Sequence, residues 1–216
     1  MEASSREGRG KVKIYTMPQR SDEWYAVRCG KFTASDFDDL MPSSRQGPTD
    51  FNKTQMGIIY RVAAERMTGQ PINGGFISKP MEWGIVHEDE ARIAFEFETG
   101  LEVQQVGFIE YDDWIGASPD GLIGDDSGLE IKCPNSDTHL RNLQEGFGDE
   151  YFYQVEGAIW ISGRKLWNLV SFDPRFAPEL QLHICHFADH PASITALQNR
   201  LDVAIEKAKG IIRGKE

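Results

Sequence analysis

The sequence predicts a mixed α/β fold, a central β-sheet of mixed strand direction flanked by helices. Three observations carry this. Apolar residues recur at helical spacing in 51–68, 82–99, 150–162 and 191–212. Short β-branched and aromatic runs lie between them at 101–111, 114–117, 165–172 and 180–187. A hairpin pattern, 120–124 and 128–132, closes around Gly124-Asp125-Asp126-Ser127-Gly128.

At 216 residues and 40% hydrophobic content, one domain spanning 14–216 is expected, with a core of useful size. Residues 1–13 are polar and basic (Arg6, Arg9, Lys11, Lys13) and are expected to form a flexible tail. The chain has no run of about 18 apolar residues and no hydrophobic leader, so neither a membrane span nor a secretory signal is expected. Cys29, Cys133 and Cys185 are odd in number and lack a C-x-x-C pair. That argues for a reduced, cytoplasmic setting and against a zinc cluster. A net charge of −11 argues against a generic nucleic-acid coat, though not against an enzyme with a local basic channel.

Taken in order, Ser21 to Gly30 reads as a short helix, with Ser21 as N-cap, acids in its first turn and Gly30 as its stop. Ser35 is expected to cap the next helix. Arg28, Thr33 and Ser35 then cluster at a helix start, where backbone N–H groups and a guanidinium suit a phosphate. Residues 42–50 form a loop with Arg45 at its tip. In the helix that follows, Met56, Ile59, Tyr60, Ala63 and Met67 are expected to face the core. In 82–99 the apolar face is Ile85, Ala91 and Phe95, and Glu88 falls on it. A carboxylate on a buried face needs a partner or a metal, so Glu88 is a site candidate. Residues 137–145 are expected to lie as a helix on the surface. Helix 150–162 turns Tyr151, Val155, Ala158 and Ile159 inward, and Gln154 sits at the edge of that face. His183 and His186 fall on opposite faces of a strand, which speaks against a joint metal role. The last helix carries an Ile194, Leu197, Leu201, Ile205, Ala208, Ile212 stripe.

The stretch Gly116 to Pro134 carries the chemistry. Pro119-Asp120-Gly121 is a turn signal that leaves the Asp120 carboxylate at a bend. In the second hairpin strand Leu129 and Ile131 face one way, Glu130 and Lys132 the other. Asp120 and Glu130, with a backbone carbonyl, suit a hard divalent cation such as Mg²⁺. Lys132 beside them can orient or deprotonate a water, or stabilise developing negative charge. Taken alone, the pattern also fits an ordinary hairpin with a surface ion pair.

Asp, nine residues, then Glu-x-Lys resembles the signature of the PD-(D/E)xK nuclease superfamily. Further islands occur in order: Trp24-x3-Arg28-x-Gly30-x2-Thr33-Ala34-Ser35; Trp83-Gly84-x3-Glu88-x2-Ala91-Arg92; Ala117-Ser118-Pro119-Asp120-Gly121; Gly128-Leu129-Glu130-x-Lys132-Cys133-Pro134; Gln154-Val155; and Asp173-Pro174-Arg175. Together they resemble the family of lambda phage exonuclease and the YqaJ-type viral recombinases. The resemblance implies a restriction-endonuclease-like core. It implies that Asp120, Glu130 and the Ile131 carbonyl hold Mg²⁺ (or Mn²⁺), two ions per site, and that Lys132 activates water with help from Glu88. It assigns Arg28, Ser35, Ser118 and Gln154 to a 5′-terminal phosphate, Arg45 to a DNA groove, and Met81 to a wedge between strands.

It further implies 5′-to-3′ degradation of one strand at double-stranded DNA ends by a homotrimer ring, beside a single-strand annealing protein, in a bacterial or phage-infected cell. Met81 stands in place of a Leu, Glu156 in place of a second Gln, and the segment between Pro134 and Gln154 is shorter. An endonuclease or repair nuclease of the same superfamily remains the alternative. A non-catalytic DNA-end binder would not require Asp120, Glu130 and Lys132 together, and a paired-carboxylate glycosidase would not explain Lys132 or Arg28.

Overall fold

The computed structural model describes residues 12–43, 46–72 and 78–214. Strand β1 (Lys13–Tyr15) is followed by helix α1 (Asp22–Arg28), β2 (Phe32–Thr33), a 3-10 turn (Ala34–Asp36), α2 (Phe37–Leu40), α3 (Lys53–Thr68) and α4 (Lys79–Thr99). Then come β3 (Phe108–Glu110), β4 (Ile115–Ala117), β5 (Gly121–Ile123), β6 (Ser127–Lys132), α5 (Ser136–Glu145) and α6 (Phe152–Ser162). The chain ends with β7 (Leu166–Phe172), a second 3-10 turn (Pro178–Leu180), β8 (Leu182–Ala188) and α7 (Pro191–Arg213). The order is the mixed α/β pattern expected, and Lys13 is already in the sheet, opposite Glu110.

The strands form two four-stranded mixed sheets, ordered β1-β3-β4-β2 and β5-β6-β7-β8. In the first, β2 joins β4 in parallel; in the second, β6 and β7 are parallel and the outer pairs antiparallel. The strand expected over 101–111 shrinks to Phe108–Glu110, plus an isolated bridge from Gln104 to Leu122. The reason is local: Val103 N is taken by the Glu96 side chain at 2.8 Å rather than by a neighbouring strand.

Alternation along β6 places the site. Leu129 and Ile131 pack with Ala91 and Phe95 of α4 and with Val170 and Phe172 of β7. The opposite face of the sheet meets the larger core, built around α2, α3, α6 and α7. Glu130 projects to that side and is buried there against α6.

Four expectations shift in detail. Thr33, not Ser35, caps the 3-10 turn that leads into α2: Thr33 N and Oγ1 both donate to Asp36. The buried face of α3 is Gln55, Ile59, Val62 and Ala63, while Tyr60 and Met67 are exposed because α7 covers the helix one step round. Helix α5 does not merely lie on the surface. His139 and Asn142 are buried, His139 bonding Ser171 Oγ (2.8 Å) and Leu180 O (2.8 Å), so a polar ladder docks the helix on β7. The apolar stripe of α7 also contains a buried arginine. Arg200 donates to the carbonyls of Leu40, Pro48 and Asp50 and to Gln55 Oε1, and its guanidinium covers Phe51.

Replacing Arg200 with Ala orphans these carbonyls, and buried polar groups left unpaired cost about 1–3 kcal/mol each before relaxation. Arg200→Ala is expected to lower the urea midpoint by an amount equivalent to at least ~2 kcal/mol with an unchanged slope. A second expectation concerns Asp173, which accepts from Ser136 Oγ (2.7 Å) and from Arg175 Nε (2.7 Å) and Nη2 (2.8 Å). Although burial works to raise its carboxyl, these bonds hold it at about 2 instead of the ordinary 3.8. Its folded value being depressed, its stabilisation is present above pH ~4 and lost as pH falls toward ~2. Asp173→Asn is expected to be less stable than the parent at pH 6 by thermal melting, the gap closing over that acid window.

Candidate active site

The turn before β5 is made possible by Gly121, where a Cβ would come within 2.1 Å of Val103 Cγ1. Asp120 N donates to Leu129 O (3.2 Å), and its carboxylate accepts from Ile131 N at 2.6 Å. The acid is thus fastened to the strand that carries Glu130 and Lys132. Lys132 Nζ donates to Glu130 Oε1 (2.8 Å) and Gln154 Oε1 (3.1 Å), and Gln154 Nε2 donates to the same Glu130 oxygen (2.5 Å). The Tyr151 ring lies under the ammonium, 4.4 Å from Nζ to its centroid.

Asp120, Glu130, Ile131, Lys132, Glu88, Met81 and Tyr151 line one cavity of about 760 Å³. Burial, then the charges of Glu130 and Glu88, push the Asp120 carboxyl well above its usual range. Burial alone would lower the Lys132 ammonium, but the charge and hydrogen bond of Glu130 outweigh it and raise the pKa. Lys132 is therefore a cation near neutrality, suited to orienting groups and stabilising negative charge rather than to taking a proton. Glu88, Asp120 and Glu130, which line this cavity with Glu150, are oxygen donors of the kind a hard divalent cation takes, and the charges of Glu130 and Glu88 both bear on Asp120. Among the described residues no three His, Cys, Asp or Glu side chains are already gathered as a metal cluster. Asp120 is on Ile131 N, Glu130 on Lys132 and Gln154, and Glu88 on Arg20 Nη2 at 2.5 Å.

A second cluster adjoins this one through the chain. Ser118 Oγ, two residues before Asp120, accepts from Arg28 Nη1 (2.7 Å) and Trp24 Nε1 (3.0 Å). Arg28 Nη2 reaches Thr33 Oγ1 (3.3 Å), which bonds Ser35 Oγ (3.1 Å). The guanidinium stacks on Trp24, with Cζ 4.2 Å from the ring centroid. Burial lowers its pKa to about 10, which leaves it charged at neutral pH. The bend into this cluster needs Gly30, whose φ is +73° and whose Cβ would meet Arg66 Cγ at 2.5 Å.

The structure thus gathers Arg28, Thr33, Ser35 and Ser118 into one group and Asp120, Glu130, Lys132 and Glu88 along one cavity. Gln154, expected with the phosphate group, instead bonds Glu130 and Lys132. Glu156 lies away from the cavity, fully buried, and accepts from His190 N (2.9 Å) and Nδ1 (2.8 Å) ahead of α7. Met81 is 54% exposed at the cavity rim. Arg45 lies outside the described residues. His87 packs on Trp83 and bonds Glu90, as a helix-flank histidine does. Sequence reasoning did not find Asp38, whose carboxylate accepts from Tyr153 N (2.8 Å) and Gln154 N (3.0 Å) and so caps α6 from 115 residues away. It also passed over Arg20 and gave Tyr151 only a core role. No local pattern marks these three, because their partners are distant in sequence.

Comparison with known proteins accords with this geometry. The YqaJ-like viral recombinase domain matches residues 23–165, about two thirds of the chain. The chain belongs to the YqaJ-like viral recombinase family. The crystal structure of an alkaline exonuclease from Laribacter hongkongensis is 28% identical, with a TM-score of 0.80 over 89% of this chain and 95% of that one. The same enzyme in complex with dAMP gives a TM-score of 0.79 at 28% identity, again over 89% and 95%. A phage related exonuclease from Haemophilus somnus, 14% identical over 89% of this chain and 99% of that one, has a TM-score of 0.71 and shares the fold. No curated protein matches. Family membership and these neighbours support a nuclease role on an α/β fold of the PD-(D/E)xK type. Among the described residues no helix is long and apolar enough to cross a membrane.

Since Asp38 fixes the first turn of α6, and with it Gln154 and Tyr151, Asp38→Ala is expected to cost about 1–2 kcal/mol. For a domain of this size that corresponds to a fall of roughly 2–8 °C in Tm, read by differential scanning calorimetry.

Proposed function

We propose that the protein is a Mg²⁺-dependent exonuclease that processively degrades one strand of double-stranded DNA, 5′ to 3′, from a 5′-phosphorylated end. The observation that carries this reading is the join at Ser118-Pro119-Asp120. One end of that tripeptide belongs to the half-buried arginine–hydroxyl cluster and the other to the carboxylate–lysine cavity. An anion held by Arg28, Thr33, Ser35 and Ser118 is one chain segment away from the acids, so gripping a terminal phosphate sets which phosphodiester reaches them.

In this reading Asp120, Glu130 and the Ile131 carbonyl hold the metal. When bound, a divalent cation supplies charge neutralisation at the phosphate and lowers the pKa of water. Lys132, held by Glu130 and Gln154, orients the attacking water and meets charge that develops on the phosphoryl oxygens. Glu88 positions that water from α4. Met81 at the rim keeps the terminal bases apart. A head-to-tail ring of three subunits would retain the DNA and account for processivity. The single-stranded product suits an annealing protein in recombination, and a cytoplasmic setting fits the free cysteines.

A linear duplex labelled at its 5′ or its 3′ ends is expected to lose the 5′ label first, only with Mg²⁺ or Mn²⁺, and a closed circle is expected to resist. Early loss of the 3′ label would overturn the polarity, and cutting of the circle would favour an endonuclease. Asp120→Ala and Lys132→Ala are each expected to lower the rate by at least about a hundred-fold while the far-UV circular dichroism is kept.

A further inference from the structure

Arg20 has no role in the site described so far. Among the described residues only it and Tyr151 are non-glycine residues with a left-handed backbone, Arg20 at φ +68° and Tyr151 at φ +63°. Such a backbone costs roughly 1–2 kcal/mol and persists where the surroundings impose it, often at functional sites. Both residues line the active-site cavity, and Tyr151 already holds Lys132.

Arg20 immediately precedes Ser21, the cap of α1, whose hydroxyl accepts from Trp24 N. Its Nη2 crosses to Glu88 on α4, 68 residues away. That pairing aims the guanidinium at the space beside Asp120, where a second cavity of about 430 Å³ shares Arg20, Glu88 and Asp120 with the first. The side chain remains 38% exposed, so part of its five-donor fork is open to solvent. Arg20 and Arg28 bracket the seven-residue helix α1, which spans about 10 Å. Arg28 bonds the hydroxyls of Ser118 and Thr33 at the far end; Arg20 stands at the acids. In a chain of net charge −11, Arg20 joins Lys132 and Arg141 in lining a cavity that also holds Glu88, Asp120, Glu130 and Glu150. A cation there answers a specific need, since a polyanion must approach these acids.

We infer that Arg20 binds a backbone phosphate of the bound DNA strand next to the one held at Arg28, with Glu88 anchoring its guanidinium. Helix α1 then presents two phosphate contacts at fixed separation, one at each end. This placement rests on the nuclease reading.

The test uses fluorescence anisotropy with a 5′-phosphorylated duplex in EDTA, from 50 to 200 mM NaCl, on the parent, Arg20→Ala, Arg20→Lys and Arg20→Gly. Arg20→Ala is expected to weaken binding roughly ten-fold at the lower salt and to make the log–log salt slope shallower by about 0.9, the loss of one phosphate contact. Arg20→Lys should keep most of the slope. Arg20→Gly is the control for folding, because glycine takes a positive φ without penalty. It should show the same loss of slope with a Tm equal to or above that of the parent. Parental affinity and slope in both Arg20→Ala and Arg20→Gly would overturn the placement and leave Arg20 as a counter-ion for Glu88. Digestion of the same duplex by the parent in Mg²⁺ runs alongside. A parent that leaves it intact sinks the nuclease reading, whereas an active parent with unchanged slopes in the variants sinks only the role of Arg20.

Discussion

The backbone N–H of Ile131 on the Asp120 carboxylate is the contact around which the site is assembled. It locks the bend before β5 to the strand that displays Glu130 and Lys132. The alternation of that strand sends Leu129 and Ile131 into one core and leaves Glu130 against α6. Were the register of β6 to slip by one residue, the apolar pair and the charged pair would exchange faces. Packing of α4 on Leu129 and Ile131 and pairing with β7 along Ser127–Lys132 make that slip costly.

Around this contact the acids and the amine are kept in balance by neighbours. Glu130 raises Lys132, Lys132 moderates Asp120, and Gln154 bonds both Glu130 and Lys132. A buried charge without such partners would be expensive, so the network that makes the site chemically useful also makes it tolerable to fold. Asp38 and the ladder from His139 to Ser171 serve it indirectly, by fixing the helices that close on either side of the cavity.

The hairpin, its Asp120, Glu130 and Lys132, and the helices ending at Gly69, Gly100 and Gly163 were legible because each rests on local rules. Turn residues, a period of two and left-handed caps act within a few positions. The group Arg28, Thr33, Ser35 was legible for the same reason, apart from which residue caps. What could not be read were contacts whose partners are far apart: Arg20 with Glu88, Asp38 with the start of α6, Arg200 with the loop before α3. The phase of α3 was misjudged at Tyr60 and Met67 because which apolar side chains are covered depends on where α7 lies. Glu156 shows the converse. Gln154, two residues before it, bonds Glu130 and Lys132, but Glu156 itself turns toward His190.

By itself the sequence determined the main helices, the pairing of β5 with β6 and the presence of an acid–acid–lysine triad with a nearby arginine, since these follow from short-range sterics and periodicity. The short strands β1 and β2 were not read, because their partners lie far along the chain. Only the tertiary structure decided that strands divide into two sheets, that Gln154 joins Lys132 rather than Arg28, and that Arg20 crosses to Glu88. Those outcomes depend on how α1, α4 and α6 pack around the end of β6, and packing is settled by contacts between segments that no local spacing encodes.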